Sequence, residues 1–122
     1  MGERRLCGIR GATTVGQNTA TAILAATRDL LLAMQKANGF ALEDVVTVFF
    51  SLTPDLDAAY PAAAAREIGW TGVPLFGGQE AAVPGSPPRC VRVLIQLYGG
   101  SGDGSIRHVY LGEAARLRPD LT

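Results

Sequence analysis

Only one long helical stripe runs through this chain, and it sits among five runs that read as β-strands. Ala20, Ile23, Leu24, Thr27, Leu30, Leu31 and Met34 recur at three- and four-residue steps. That is the spacing of one broad apolar helix face. Asn18 or Thr19 can cap its start, and Asn38-Gly39 supplies a left-handed stop. The strand-like runs cover residues 5–15, 44–52, 73–79, 90–98 and 106–111. A short helix over 62–68 opens on Pro61 and stops at Gly69. The order β-α-β-α-β-β-β implies an α+β (mixed α/β) fold, a five-stranded mixed sheet with one long helix and a short helix. One long helix leaves part of such a sheet uncovered. Closed association with identical copies would cover it, so a homo-oligomer is expected.

The 44–52 run, with Val45, Val46, Val48, Phe49 and Phe50, reads as a strand covered on both faces. Thr53-Pro54-Asp55 turns the chain. The short helix is mostly alanine with Arg66, which gives it a weak apolar face and suggests a surface or a subunit contact. Pro84-Gly85-Ser86-Pro87-Pro88 is a loop. Gly99 to Ser105 reads as a flexible loop and lacks the Gly-x-x-x-x-Gly-Lys-Ser/Thr pattern of a phosphate cradle.

At 122 residues the chain is expected to form one domain over 1–122. Its 48% hydrophobic and 18% charged content exclude whole-chain disorder. Net charge is zero, which argues against nucleic acid as a partner. No segment reaches the ~18 consecutive apolar residues of a membrane span. The N-terminal residues carry no apolar run of signal-peptide length, so the expected location is the cytoplasm. Cys7 and Cys90 each sit in an apolar strand-like run and read as small buried side chains. With one histidine at these spacings they match no metal-ligand motif, and no metal is expected.

Charged and phenolic side chains planted in the strands carry the functional signal. Arg10 lies in the first run, Arg92 in the fourth, and Arg107 and Tyr110 in the last. An Arg inside a strand is costly to bury without an anionic partner, and none stands beside these in sequence. They suggest a pocket for a small polyanion. There is no Ser-His-Asp or Cys-His pairing at a recognised spacing and no Gly-x-Gly-x-x-Gly after a strand. Arginines with one carboxylate, Glu80, and one phenol, Tyr110, suit binding and electrostatic stabilisation without a proton shuttle. Taken singly, each residue has a plainer reading. Arg10 would be an edge-strand residue paired with a carboxylate, Glu80 a solvated loop charge, and Tyr110 half-buried with its hydroxyl at the surface. His108 reads as structural or surface. Arg28, Arg89 and Arg116 read as solvated.

Eight blocks, in order, resemble a known family. They are Gly8-Ile9-Arg10-Gly11-Ala12-Thr13-Thr14-Val15, Thr53-Pro54-Asp55-Leu56, the Tyr60-Pro61-Ala62 helix start with Ala65-Arg66-Glu67, Val73-Pro74, Gln79-Glu80, Cys90-Val91-Arg92-Val93, Arg107-His108-Val109-Tyr110-Leu111, and Leu117-Arg118-Pro119-Asp120-Leu121. Together they resemble the small monofunctional chorismate mutases of the trimeric, pseudo-α/β-barrel class, over nearly the whole length. The resemblance implies conversion of chorismate to prephenate by a concerted [3,3] rearrangement, with no cofactor and no metal. It implies a homotrimer whose sites lie between adjacent subunits. By matching position, Arg92 would donate to the ether oxygen, and Arg10 and Tyr110 would bind the enolpyruvyl carboxylate. Glu80 would accept from the ring hydroxyl, with backbone near Gly77 helping. Arg66 and Arg118 would close the open side, and Leu117 and Tyr60 would form apolar walls.

Three positions depart from that family's pattern. Tyr60 stands where Phe is frequent, Ala63 where a Lys can lie, and Gly77 where a Cys can touch the ring hydroxyl. Two other classes fit the same fold: the small trimeric enamine/imine deaminases, and a non-catalytic trimeric ligand-binding domain. Arg92 in Cys90-Val91-Arg92, combined with Gln79-Glu80, separates the mutase from the deaminase; turnover separates it from the binding domain.

Overall fold

The computed structural model describes residues 4–99 and 106–116, and its long helix begins where Thr19 caps it. The Thr19 hydroxyl accepts the backbone N–H of Ala22 at 3.1 Å, satisfying a donor the first helical turn leaves unpaired. Helix α1 (Ala20–Asn38) ends on Gly39, whose φ of 63° is the left-handed stop its sequence implies. Ile23, Thr27, Leu30, Leu31 and Met34 form the buried face. The Thr27 hydroxyl is satisfied inside it by the Ile23 carbonyl at 2.7 Å.

The strands are β1 (Arg5–Thr14), β2 (Val45–Leu52), β3 (Leu75–Gln79), β4 (Cys90–Gly99) and β5 (Val109–Tyr110), with the short helix α2 (Ala62–Glu67) between β2 and β3. They form one sheet in the order β3-β2-β4-β1-β5. The three central strands are antiparallel, and the edge strands β3 and β5 run parallel to their neighbours. This is the mixed five-stranded sheet with one long and one short helix that the pattern implies.

Helix α1 packs along β1. Gly11 makes that approach possible, since a Cβ there would collide with Met34 Sδ and sit 3.2 Å from Leu30 Cδ1. On β4 the alternation is strict: Val91, Val93, Ile95 and Leu97 face the core, while Arg92, Leu94 and Tyr98 face out. Trp70 closes the core edge-on against Phe40, with ring centroids 6.0 Å apart.

Several expectations change. One face of β2 is open in the single chain, with Phe49 and Val46 exposed, because helices α1 and α2 pack together on the other side. Strand β3 starts at Leu75 because Pro74 has no N–H to give the ladder. Strand β5 is shorter than the 106–111 run. The Asn38 side chain takes the Arg107 backbone, accepting its N–H at 2.7 Å and donating to its C=O at 2.9 Å, so those groups leave the ladder. Helix α2 ends at Glu67, and its alanines are not idle: Ala64 and Ala65 are fully buried, and their small size lets α2 approach α1. Cys90 is buried as expected, whereas Cys7 is half-buried. Of the flexible loop expected from Gly99 to Ser105, Gly99 ends β4, while residues 100–105 and the tail at 117–122 lie outside the described residues. Among the described residues, no helix is long and apolar enough to cross a membrane.

Candidate active site

Two rows of paired residues cross the open face of the sheet. One joins Phe76, Phe49, Leu94 and Arg10, from β3 through β2 and β4 to β1. The other joins Gly78, Ser51, Arg92, Ala12 and Tyr110, across all five strands. Along each strand the two rows are two residues apart, so both project to the same side. Register alone therefore brings Arg10, Arg92 and Tyr110 together from three strands. Ser51 and Ala12 flank Arg92, and both are short, which leaves room around the guanidinium. A concavity of about 380 Å³ opens there, with Arg10, Phe49, Ser51, Arg92, Leu94 and Tyr110 on its lining.

Glu80 reaches the same place from the end of β3. Its N–H donates to the Leu52 carbonyl at 2.8 Å, extending the ladder by one residue. One carboxylate oxygen then stands 3.2 Å from Arg92 Nε. Arg92 thus has an acidic partner after all, one that local sequence does not reveal. Arg10 and Arg92 are also exposed in the single chain, so neither bears the full cost of burial. Ion pairing through Nε leaves the terminal guanidinium nitrogens carrying the remaining donors.

Behind Arg92, Cys90 packs with Ala12, Ala114 and Tyr110. Burial pushes the Cys90 thiol up, and the nearby Arg92 charge only partly opposes this. Cys90 is therefore a neutral space-filling group at neutral pH rather than a nucleophile.

A second network sets where β4 begins. The Asp55 carboxylate accepts the Arg89 backbone N–H at 2.9 and 3.1 Å and the Thr53 hydroxyl at 2.5 Å. Thr53 Oγ1 in turn accepts the Cys90 N–H at 2.9 Å. Arg89 sits at a φ of 46°, unusual for a side-chain-bearing residue, and its Nε donates to the Val15 carbonyl at 2.9 Å. Arg89 is exposed, as expected of a solvated charge, and also anchors the start of β4. A one-residue slip of β4 would turn Arg92 to the helix side. The Thr53-Pro54-Asp55 turn guards against that slip.

The chain matches the family described as chorismate mutase type I over residues 6–121. It is 52% identical over 115 residues to chorismate mutase AroH of Thermus thermophilus, covering 93% of this chain and 94% of that one. It is 45% identical over 116 residues to chorismate mutase AroH of Bacillus subtilis (strain 168), covering 94% and 91%. A solved chorismate mutase from Clostridium thermocellum superposes with a TM-score of 0.88 at 44% identity, covering 90% of this chain and 98% of that one. This chain belongs to the chorismate mutase type I family. Membership in it sets aside the deaminase alternative.

Against the chorismate mutase pattern, the residues singled out from sequence do not all come together in one chain. Arg10, Arg92, Tyr110 and Glu80 share the open-face concavity or its edge. Tyr60 and Gly77 line a different one, of about 600 Å³, with Leu52, Pro54, Asp57 and Gln79. Gly77 pairs with Phe50, and a Cβ there would lie 4.0 Å from Phe50 Cβ, so Gly77 turns toward the core while Gly78, also on this lining, turns to the open face. Tyr60 is 82% exposed at its rim. The Asn18 side chain holds the loop before it, accepting the N–H groups of Asp57 and Ala58 at 3.1 and 3.2 Å and donating to the Asp57 carboxylate at 2.8 Å. Arg66 is exposed on α2 and lines neither concavity. Leu117 and Arg118 lie outside the described residues. Phe49 and Ser51 were missed from sequence. Period-two alternation in β2 places them on one face, but only the β2-β4 register brings that face to Arg92.

Proposed function

We propose that this protein converts chorismate to prephenate, as an intramolecular isomerase of aromatic amino acid biosynthesis. The observation that carries this reading is the convergence of Arg10, Arg92 and Tyr110 on one concavity, with Glu80 held against Arg92. Chorismate is a dianion with an enolpyruvyl ether and a ring hydroxyl. In the concerted step the ether C–O bond breaks as a new C–C bond forms, and negative charge builds on the ether oxygen. No nucleophile is needed and no proton is transferred.

Arg92 donates to that oxygen. A charged donor aimed at developing charge is worth ~3–4 kcal/mol of barrier. Arg10 and Tyr110 hold the enolpyruvyl carboxylate and so favour the compact reactive shape over the extended one. Glu80 accepts from the ring hydroxyl while orienting Arg92, with backbone near Gly77 assisting. The chorismate mutase pattern assigns Arg66 and Arg118 to closing the open side and Tyr60 and Leu117 to apolar walls. No cofactor or metal takes part in this scheme.

The two concavities share no lining residue, and a substrate touching both Arg92 and Tyr60 would bridge two copies. The exposed apolar face of Leu6, Phe49, Phe76, Leu94 and Tyr98 supports such an assembly. A homotrimer with interfacial sites, built from one domain over residues 1–122 and working in the cytoplasm, fits these features. The test is direct. Purified protein should consume chorismate, seen as loss of its ultraviolet absorbance with prephenate appearing, and added chelator should make no difference. A ligand-binding domain without activity would bind chorismate and leave it unchanged.

A further inference from the structure

We propose that His108 is a positioning residue for Arg10 and Tyr110, acting through an unprotonated Nδ1. The inference rests on the functional reading above. The backbone N–H of Arg10 donates to His108 Nδ1 at 3.0 Å, joining residues 98 positions apart in sequence. This contact prolongs a very short ladder. Strand β5 pairs with β1 only at Gly11 with Val109 and at Ala12 with Tyr110. Beyond them the Leu111 N–H donates to the Ala12 carbonyl at 2.9 Å. A two-residue edge strand has little intrinsic stability, yet it carries Tyr110.

Side chains supply the missing anchorage. On the helix side, Asn38 at the end of α1 grips the Arg107 backbone through both its N–H and its C=O. On the sheet side, the imidazole takes the N–H of the very residue whose guanidinium lines the concavity. His108 thus fixes the spacing between two groups assigned to the same substrate carboxylate. It is no acid or base in this scheme.

The chemistry of the contact is specific. Nδ1 can accept only when it bears no proton. A neutral imidazole has one donor and one acceptor nitrogen, so the proton belongs on Nε2. An Asn side chain places its carbonyl oxygen close to where Nδ1 stands, whereas the longer Gln does not.

Nitrogen-15 spectra of the wild-type imidazole test the contact, and steady-state kinetics on chorismate test its purpose. The expected spectrum has a bare Nδ1 and a protonated Nε2. The expected kinetics are a KM about tenfold higher in His108→Ala, with kcat within about threefold because Arg92 is carried by β4 and keeps its place. His108→Asn should recover most of the lost affinity and His108→Gln should not. A proton on Nδ1, an unchanged KM in His108→Ala, or an equal fall in kcat and kcat/KM would each overturn the proposal. Should His108→Ala fail to fold, the wild-type spectrum and the Asn and Gln variants still decide it. If wild-type protein left chorismate untouched, the functional reading would fall. The spectrum would then judge the contact separately.

Discussion

Arg92 Nε and the Glu80 carboxylate stand 3.2 Å apart, although they are twelve positions apart in sequence with a proline-rich loop between them. Both side chains are partly exposed, at 46% and 31%. An exposed ion pair of this kind adds ~0–1 kcal/mol to stability. Its consequence lies in geometry: it engages Nε and leaves the terminal guanidinium donors for the substrate proposed above.

Glu80→Gln should therefore separate stability from activity. The melting temperature should stay close to wild type. The kcat/KM for chorismate should fall at least about tenfold, since the variant loses both an orienting charge and a strong acceptor for the ring hydroxyl. Thermal melts and initial rates on one preparation check both halves.

Asp55 gives a pH signature. The Thr53 hydroxyl bond, helped by the Arg89 N–H, holds its carboxyl below the ordinary value of 3.8. A depressed carboxylate stabilises the fold above its unfolded pKa, and that contribution disappears as pH falls through the folded value. Asp55→Asn should thus melt lower than wild type at pH 7. The gap should shrink between roughly pH 5 and pH 3. A gap independent of pH would refute the linkage.

Gly11→Ala should destabilise the fold by about 1–3 kcal/mol through overpacking against α1. The clash is with the tip of Met34, so adding Met34→Ala should make the Gly11→Ala step cheaper than it is alone. Denaturant titration of the four members of this cycle measures the coupling.

The open face gives a test of assembly. Leu94 pairs with Phe49 and Arg10 across the sheet and is exposed in the single chain. Leu94→Glu should leave the far-ultraviolet circular dichroism unchanged, shift sedimentation from trimer to monomer, and abolish turnover with it. A monomer that still turns over would contradict a site shared between copies.

Much of this was legible because periodicity is local. Helix α1 follows from Ile23 to Met34, and the outward direction of Arg92 follows from strict alternation on β4. Partnerships across the sheet are another matter. Glu80 meets Arg92 only because β2 lies between β3 and β4, and no spacing in the chain encodes that order. Asp55 was read as part of a turn, since its partner Arg89 is 34 positions away. Asn38 was read as a helix stop, yet its side chain binds Arg107 and cuts β5 short. His108 was read as structural or surface, but the group it binds, the Arg10 N–H 98 positions away, is visible only in the fold. The role residues Arg10, Glu80, Arg92 and Tyr110 came from matching whole blocks of sequence; register explains why those blocks converge.

The kcat of Arg92→Ala on chorismate, measured beside wild type, probes the central claim most directly. Removal of a donor that acts in the transition state should lower kcat at least about 100-fold, with sedimentation and melting unchanged. A wild-type protein that leaves chorismate intact, or a variant that loses affinity alone and keeps its turnover, would contradict the assignment of Arg92 to the breaking ether bond.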